Sequence, residues 1–189
     1  TSLLGVTPIL SGATLKDLHN FGEQLSSTEK TMPILFVGHG SPMNAIEDNE
    51  FVAGWRTIGK ELPTPKAILC ISTHWETRGT FVTAMEKPRT IHDFGGFPPE
   101  LYEVQYPAPG HPALAEQTKE IVAKAKVELD TSWGLDHGCW SVVRRMNPAA
   151  DVPVFQLSLE HDHSPQLHYE HPQAYIGQHC GTQQDLLEQ

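Results

Sequence analysis

Residues 67–73, AILCIST, decide the fold, because a short and continuous apolar run predicts a strand buried on both faces of a sheet. A second run of the same kind, PILFVG, occupies residues 33–38. Three further segments are predicted to be strands: residues 81–85 (FVTAM), 127–129 (VEL) and 152–159 (VPVFQLSL). The chain is therefore expected to build a sheet.

Between these strands, apolar residues recur with helical spacing. Residues 49–59 predict one helix, which Leu62-Pro63 ends, and residues 111–126 predict an amphipathic helix with a proline just inside its start. Residues 139–146 predict a third helix. Strands that alternate with helices predict an α/β fold, with a central mixed or parallel sheet and flanking helices in a single domain.

The composition excludes several classes of function for this chain. The 189 residues include 13 Lys and Arg against 23 Asp and Glu, a net charge of −10, which argues against nucleic acid as a partner. No apolar run reaches the roughly 18 residues that span a bilayer, so no membrane association is expected. The three cysteines form no CxxC pair, which argues against a disulfide scaffold. The 11 histidines favour a metal site.

Residues 1–31 are predicted to be an N-terminal extension. Its apolar run, residues 2–13 (SLLGVTPILSGA), has the character of the central part of an export signal, and the alternative is a terminus without defined structure. A cytoplasmic location is expected, or a periplasmic one if this run is the remnant of an export signal.

Two histidines directly follow the two strongest predicted strands. His39 follows residues 33–38, and His74 follows residues 67–73. The carboxyl ends of neighbouring parallel strands meet at one crevice, so both imidazoles are predicted to reach a common metal ion. Alternatively, both serve only as hydrogen-bonding residues. Local spacing supplies no third ligand.

The loop of residues 90–98 (TIHDFGGFP) is a candidate substrate site. His92 and Asp93 could act as an acid/base pair or simply form a loop hydrogen bond. Phe94 and Phe97 flank two glycines, an arrangement that allows close backbone approach and supplies aromatic walls.

His137 is a candidate proton-transfer residue. It lies in WGLDHG, residues 133–138, in a turn before a predicted helix, with a carboxylate on one side and a glycine on the other. The alternative is that Asp136 caps the helix and His137 is passive.

The C-terminal segment from residue 160 is rich in histidine but lacks a clear period. Its candidate ligands are His161, His163, His168, His171, His179 and Cys180. Histidine tracts of this composition are usually solvated, so the tract is a weak metal candidate.

Five motifs occur in order: GHGSPMN (38–44), STHW (72–75), IHDFGGFP (91–98), YPAPG (106–110) and WGLDHGCW (133–140). Together they resemble the 4,5-DOPA extradiol dioxygenase family, a branch of the class III extradiol ring-cleavage dioxygenases. The resemblance covers residues 32–169 and leaves residues 170–189 as a divergent tail. It implies an α/β fold and a non-haem metal, Fe(II) for turnover or Zn(II) in its place.

Carried over by motif, the resemblance makes His39 and His74 metal ligands. It makes His137 an acid/base or substrate-orienting residue. The family's later metal-site histidines, one of them in an NVVHN-like segment, have no counterpart here. We therefore expect a C-terminally truncated or altered member, with an incomplete sheet that is poorly soluble or covered in a homodimer.

The implied reaction is the extradiol cleavage, with dioxygen, of a small aromatic catechol such as DOPA. In it, His137 takes a hydroxyl proton and residues 92–98 provide an aromatic wall. Two other classes stay open: a zinc-dependent hydrolase, and a non-enzymatic metal-binding protein or inactive fragment.

Overall fold

The computed structural model describes residues 32–122 and 126–162. Every element described below lies within the compact unit Ile34–Gly177. The predicted extension, the divergent tail and the histidines after residue 162 lie outside the described residues.

The sheet is mixed and has four strands, β1 (Ile68–Thr77), β2 (Thr80–Thr83), β3 (Val127–Asp130) and β4 (Val154–Glu160). Their order across the sheet is β1-β4-β2-β3. β1 runs parallel to β4, β2 runs parallel to β3, and β2 meets β4 antiparallel. The predicted α/β class with a mixed central sheet is confirmed.

In the part of the chain that the structure describes, a 3-10 helix (Pro42–Ala45) and four α-helices accompany the sheet: α1 (Glu50–Glu61), α2 (Pro99–Tyr102), α3 (Pro112–Ile121) and α4 (His137–Met146). The Asn49 side chain caps α1 by accepting from the backbone N–H of Val52. α3 ends earlier than predicted, because Val122 leaves helical geometry and buries its side chain beside Val127. Among the described residues, no helix is long and apolar enough to cross a bilayer.

Helices cover both faces of β4, the most buried strand. Val154 packs in a cluster with Trp140 of α4, whereas Phe155 and Leu157 pack in a second cluster with Ala115 of α3. Alternate strand residues point to opposite faces, so β4 contributes to both cores. This explains why apolar residues occur at both odd and even positions of the segment 152–159.

The predicted strand at residues 33–38 is wrong. The segment is irregular in the structure, and within residues 32–122 and 126–162 nothing pairs with it. Phe36 is 98% exposed and Leu35 is 42% exposed. An apolar run does not form a strand without a partner, and β1 here forms its ladder with β4 alone.

Candidate metal centre

Three histidines converge on one point. The Nε2 atoms of His39 and His74 lie 2.9 Å apart. The ring of His137 lies 3.9 Å from that of His74 and 5.1 Å from that of His39, centre to centre. One ligand nitrogen from each residue can be chosen so that all three lie within 4.8 Å of one another. The predicted meeting of His39 and His74 is confirmed.

His39 is held by side-chain hydrogen bonds rather than by a strand ladder. Gly40 follows it with a φ of +61°, a left-handed conformation that glycine adopts without strain. Asn44 Nδ2 donates to the carbonyl of His39 at 3.0 Å, and Asn49 Nδ2 donates to Asn44 Oδ1 at 2.7 Å. Arg145 Nε of α4 donates to the carbonyl of Asn44 at 2.9 Å. The loop is thereby tied to the helix that begins with His137.

His74 lies within β1 and not after it, which corrects its predicted place. Its ladder with β4 shifts register between Ile71 and Glu76. The backbone N–H of His74 donates to Ser72 Oγ at 3.2 Å, and the His74 side chain is 30% exposed. The backbone of His74 is therefore fixed in a strand, while its imidazole remains accessible to solvent.

Asp93 fixes His137 at the start of α4. Its Oδ1 accepts the backbone N–H of His137 at 2.9 Å and lies 2.9 Å from Nδ1 of the same residue. Its Oδ2 lies 3.9 Å from Nδ1 of His74. Asp136 does cap the helix, by accepting from the backbone N–H of Cys139. Asp136 therefore caps the helix while His137 still belongs to the histidine cluster, so the two predicted alternatives do not exclude each other.

The electrostatics of the cluster favour the neutral form of His39 and the ionised form of Asp93. Burial lowers the pKa of His39, and the neighbouring His137 and His74 lower it further. Burial alone would raise the pKa of Asp93, but hydrogen bonds from His137 outweigh it and leave that pKa below its ordinary value. Neutral imidazole is the form that binds metal ions.

An aromatic wall adjoins the histidines. The Phe94 ring meets that of His137 edge-on, with the centres 5.4 Å apart. Phe94 also contacts Phe97 edge-on at 5.4 Å and Tyr102 at 5.1 Å. His92 belongs to the same group, because its ring lies 5.8 Å from that of Phe94 and its Nε2 lies 3.0 Å from the carbonyl of Val104.

The structure thus brings together seven of the residues singled out from the sequence, namely His39, His74, His92, Asp93, Phe94, Phe97 and His137. Asp93 contacts the two histidines instead of extending the aromatic wall. His161 is exposed beside Asp162 and is absent from the cluster. Sequence reasoning missed Tyr102 and the buried Gln156, whose signal was a polar side chain within the apolar run VPVFQLSL.

Known proteins resemble this chain over most of its length. The protein named "4,5-DOPA dioxygenase extradiol" in Escherichia coli K12 is 54% identical over 147 residues, covering 77% of this chain and 54% of the relative. The protein of the same name in Beta vulgaris is 40% identical over 159 residues, covering 79% and 58%. The chain spans about half the length of the curated relatives that it matches.

A solved structure agrees with these relatives. The crystal structure of an uncharacterized protein from Escherichia coli K12 matches with a TM-score of 0.62 and 45% identity, covering 76% of this chain and 53% of that one. The family profile described as the catalytic LigB subunit of aromatic ring-opening dioxygenase matches residues 32–174, which include all three histidines of the cluster. The chain belongs to this LigB family of aromatic ring-opening dioxygenases.

Proposed function

We propose that this chain carries the metal site of an extradiol dioxygenase, which opens the ring of a small catechol such as DOPA with dioxygen. His39 and His74 would hold the metal, Fe(II) for turnover or Zn(II) in its place. The observation that carries the proposal is the convergence of three imidazoles within 4.8 Å, each from a different segment of the chain. The family match supports ring opening over hydrolysis or metal storage.

The donor set fits a divalent first-row metal. Ligands at about 2.0–2.1 Å from a tetrahedral zinc lie roughly 3.3 Å from one another. The observed separations, 2.9 Å between the two Nε2 atoms and at most 4.8 Å within the cluster, bracket that value. The Nε2 atoms of His39 and His74 lie within hydrogen-bond distance of each other, and a shared cation would replace that contact by binding both nitrogens.

When bound, such a cation supplies Lewis acidity, which lowers the pKa of a catechol hydroxyl and places the ring at the site. The protein has to accept the released proton. His137 is placed for this, because the carboxylate of Asp93, 2.9 Å from Nδ1, favours the hydrogen on that nitrogen, which would leave the lone pair on Nε2. The same carboxylate would stabilise the imidazolium that forms.

The aromatic wall would bind the planar substrate. Phe94 stands edge-on to His137, so a catechol that reaches His137 also meets the Phe94 ring. Phe97 and Tyr102 extend this apolar surface. His92 and Asp93 stay in the proposed substrate site, with Asp93 acting through His137 and His74.

The proposal is tested on the full 189-residue chain. Loaded anaerobically with Fe(II) and then given dioxygen, it should consume oxygen in step with a catechol and form the absorbance of a ring-opened semialdehyde. His39→Ala and His74→Ala should abolish both signals, whereas His161→Ala, an exposed histidine outside the cluster, should retain them. Full turnover by His39→Ala would refute the site.

Zinc titration separates the two roles open to His137. As a proton acceptor it is dispensable for metal binding, so His137→Ala should bind Zn(II) nearly as tightly as the unmodified chain while losing ring opening. A loss of zinc affinity equal to that of His39→Ala would instead make His137 the third ligand, and would overturn its assignment as the base.

We further infer that the chain forms a homodimer. Ile71 on the edge strand β1 is 40% exposed, and Leu35 and Phe36 are also exposed. An apolar strand edge of this kind favours pairing with another chain. Light scattering coupled to size exclusion should give twice the mass of one chain, and a stable monomer would contradict the inference.

A further inference from the structure

We propose that Asp136 is a positioning residue for the histidine cluster: its buried carboxylate ties β1, β4 and α4 together and thereby sets His74 and His137 at their mutual distance. This inference rests on the proposed metal site. Asp136 is fully buried and directly precedes His137.

The carboxylate of Asp136 accepts from three elements at once. Ser72 of β1 donates its hydroxyl to Oδ1 at 2.7 Å. Gln156 of β4 donates Nε2–H to Oδ2 at 2.7 Å. The backbone N–H of Cys139 in α4 donates to Oδ1 at 3.1 Å. Both oxygens therefore act only as acceptors.

The network reaches both histidines. The backbone N–H of His74 donates to Ser72 Oγ, which in turn donates to Asp136, so β1 is linked to the carboxylate at the residue that bears the imidazole. On the other side, the backbone N–H of Asp136 donates to Gln156 Oε1 at 2.9 Å. Asp136 and Gln156 thus form a reciprocal pair beside His137.

Close packing between α4 and β1 at Gly138 limits how near the hydrogen bonds of Asp136 can draw the two elements. A Cβ placed on Gly138 would lie 2.6 Å from Ser72 Oγ and 2.7 Å from His74 Cδ2. The first turn of α4 therefore presses against β1 at the same residues that the carboxylate joins. Attraction through Asp136 and contact at Gly138 together fix the separation of the two imidazole rings, whose centres lie 3.9 Å apart.

Charge gives the network a second consequence. Among residues 32–122 and 126–162, no Lys or Arg forms an ion pair with Asp136. The start of α4 offsets part of the negative charge of Asp136. The remainder favours a cation held by the neighbouring imidazoles.

The first test is a swap that preserves the hydrogen bonds. In Asp136→Asn, either the Gln156 amide or the Cys139 N–H faces a donor in place of an acceptor. Adding Gln156→Glu restores an acceptor for the new amide and for the backbone N–H of residue 136. The double variant transfers the carboxylate from residue 136 to residue 156 without removing it from the network.

The readout is the affinity of the full chain for Zn(II), measured by competition with a chromophoric chelator, beside urea unfolding of the metal-free chain. Because Asp136 holds the proposed ligand His74 through Ser72, we expect Asp136→Asn to weaken zinc binding about tenfold to a hundredfold. The double variant should recover to within about threefold of the unmodified chain, since positioning is restored. Unchanged zinc affinity in Asp136→Asn overturns the proposal, as does a swap that restores stability without zinc affinity.

Two milder single variants keep the test decisive if Asp136→Asn does not fold. Ser72→Ala removes only the link from β1, and it should weaken zinc binding. Thr83→Val is the matched control, because Thr83 Oγ1 accepts the buried backbone N–H of Gln156 but is not seen, within the described residues, to bond directly to Asp136 or to a histidine. Both should lose stability, but only Ser72→Ala should lose zinc affinity. Equal zinc affinity in the two variants refutes the positioning role.

These outcomes are distinct from failure of the proposed function. If the unmodified chain binds no zinc, or His39→Ala binds it as tightly, the metal site itself is wrong. If the unmodified chain binds zinc and His39→Ala does not, the site stands. The Asp136 and Ser72 variants then decide the positioning role alone.

Discussion

Asp93 contacts His137 twice through one oxygen: Oδ1 accepts the backbone N–H at 2.9 Å and lies 2.9 Å from the ring nitrogen Nδ1. This double contact fixes where α4 begins and which way the imidazole faces. The other oxygen, 3.9 Å from His74 Nδ1, places the same carboxylate behind a second member of the cluster. Carboxylates behind imidazoles orient them and raise their basicity.

Asp93→Asn should therefore impair the site while leaving the fold in place. An amide at this position keeps one acceptor for the His137 backbone N–H but loses the charge that holds the hydrogen on Nδ1. Because Asp93 also lies behind the proposed ligand His74, we expect zinc affinity to fall by about tenfold. Ring opening, which also needs His137, should fall further. Asp151→Asn, at an exposed position, is the control and should change neither. A normal ring-opening rate in Asp93→Asn would exclude His137 as the base.

The stability of the metal-free chain should rise with pH in the range where His39 titrates. Burial, aided by His137 and His74, lowers the pKa of folded His39 below the 6.5 of an unperturbed histidine. Between the two values the unfolded chain binds more protons, so the free energy of unfolding increases with pH. The gain is complete above pH 6.5 and is lost as the pH falls towards the folded pKa.

Urea unfolding of the chain and of His39→Gln, from about pH 5 to about pH 8, isolates this contribution. The difference in unfolding free energy, unmodified chain minus variant, should grow as the pH rises through the window. Subtraction removes the other histidines, which both proteins share. A difference that stays constant with pH would show that burial does not hold His39 neutral.

The sequence was sufficient to predict those strands and helices that have a local apolar pattern. β1 and β4 were predictable because both are apolar runs, and α4 was predictable from its spacing. The segment at residues 33–38 has the same local signal, yet pairing depends on a neighbouring strand that a local pattern does not reveal. Even so, His39 reaches His74, because Asn44 and Arg145 hold its loop.

The site was predictable as a set of residue types but not as a set of contacts. Histidines that follow apolar runs predicted a metal centre, and the histidine in a glycine-flanked turn predicted a proton-transfer residue. The role of Asp93 behind His137 and His74 depends on a loop that returns to the start of α4, a contact across 44 residues. Likewise, the link between Ser72 and Asp136 spans 64 residues. No local pattern encodes contacts at such separations.

Phe94→Leu should raise the KM for a catechol and leave kcat nearly unchanged. The Phe94 ring meets His137 edge-on, and leucine keeps the bulk but loses the aromatic face. An aromatic pair contributes about 0.5–1.5 kcal/mol, so KM should rise roughly twofold to tenfold. Phe36→Leu, at a 98% exposed position, is the control. An unchanged KM in Phe94→Leu would remove this ring from the substrate site.

Two glycines of α1 make a matched pair for the helix packing that supports the site. A Cβ on Gly59 would lie 2.2 Å from the carbonyl oxygen of Met146, the last residue of α4, whereas a Cβ on Gly54 would meet nothing within 4 Å. Gly54→Ala should stabilise the chain by about 0.5–1 kcal/mol, because alanine is the better helix former. Gly59→Ala should destabilise it by roughly 1–3 kcal/mol, because the two helices must separate.

Thermal or urea unfolding of the two metal-free variants gives both values. The same substitution in the same helix cancels the effect of helix propensity, so the difference between them reports the α1–α4 contact. Arg145 of α4 also holds the loop that bears His39, so Gly59→Ala should additionally weaken zinc binding, whereas Gly54→Ala should not. Equal stabilities would show that α1 and α4 are not in the close contact on which the position of His39 depends.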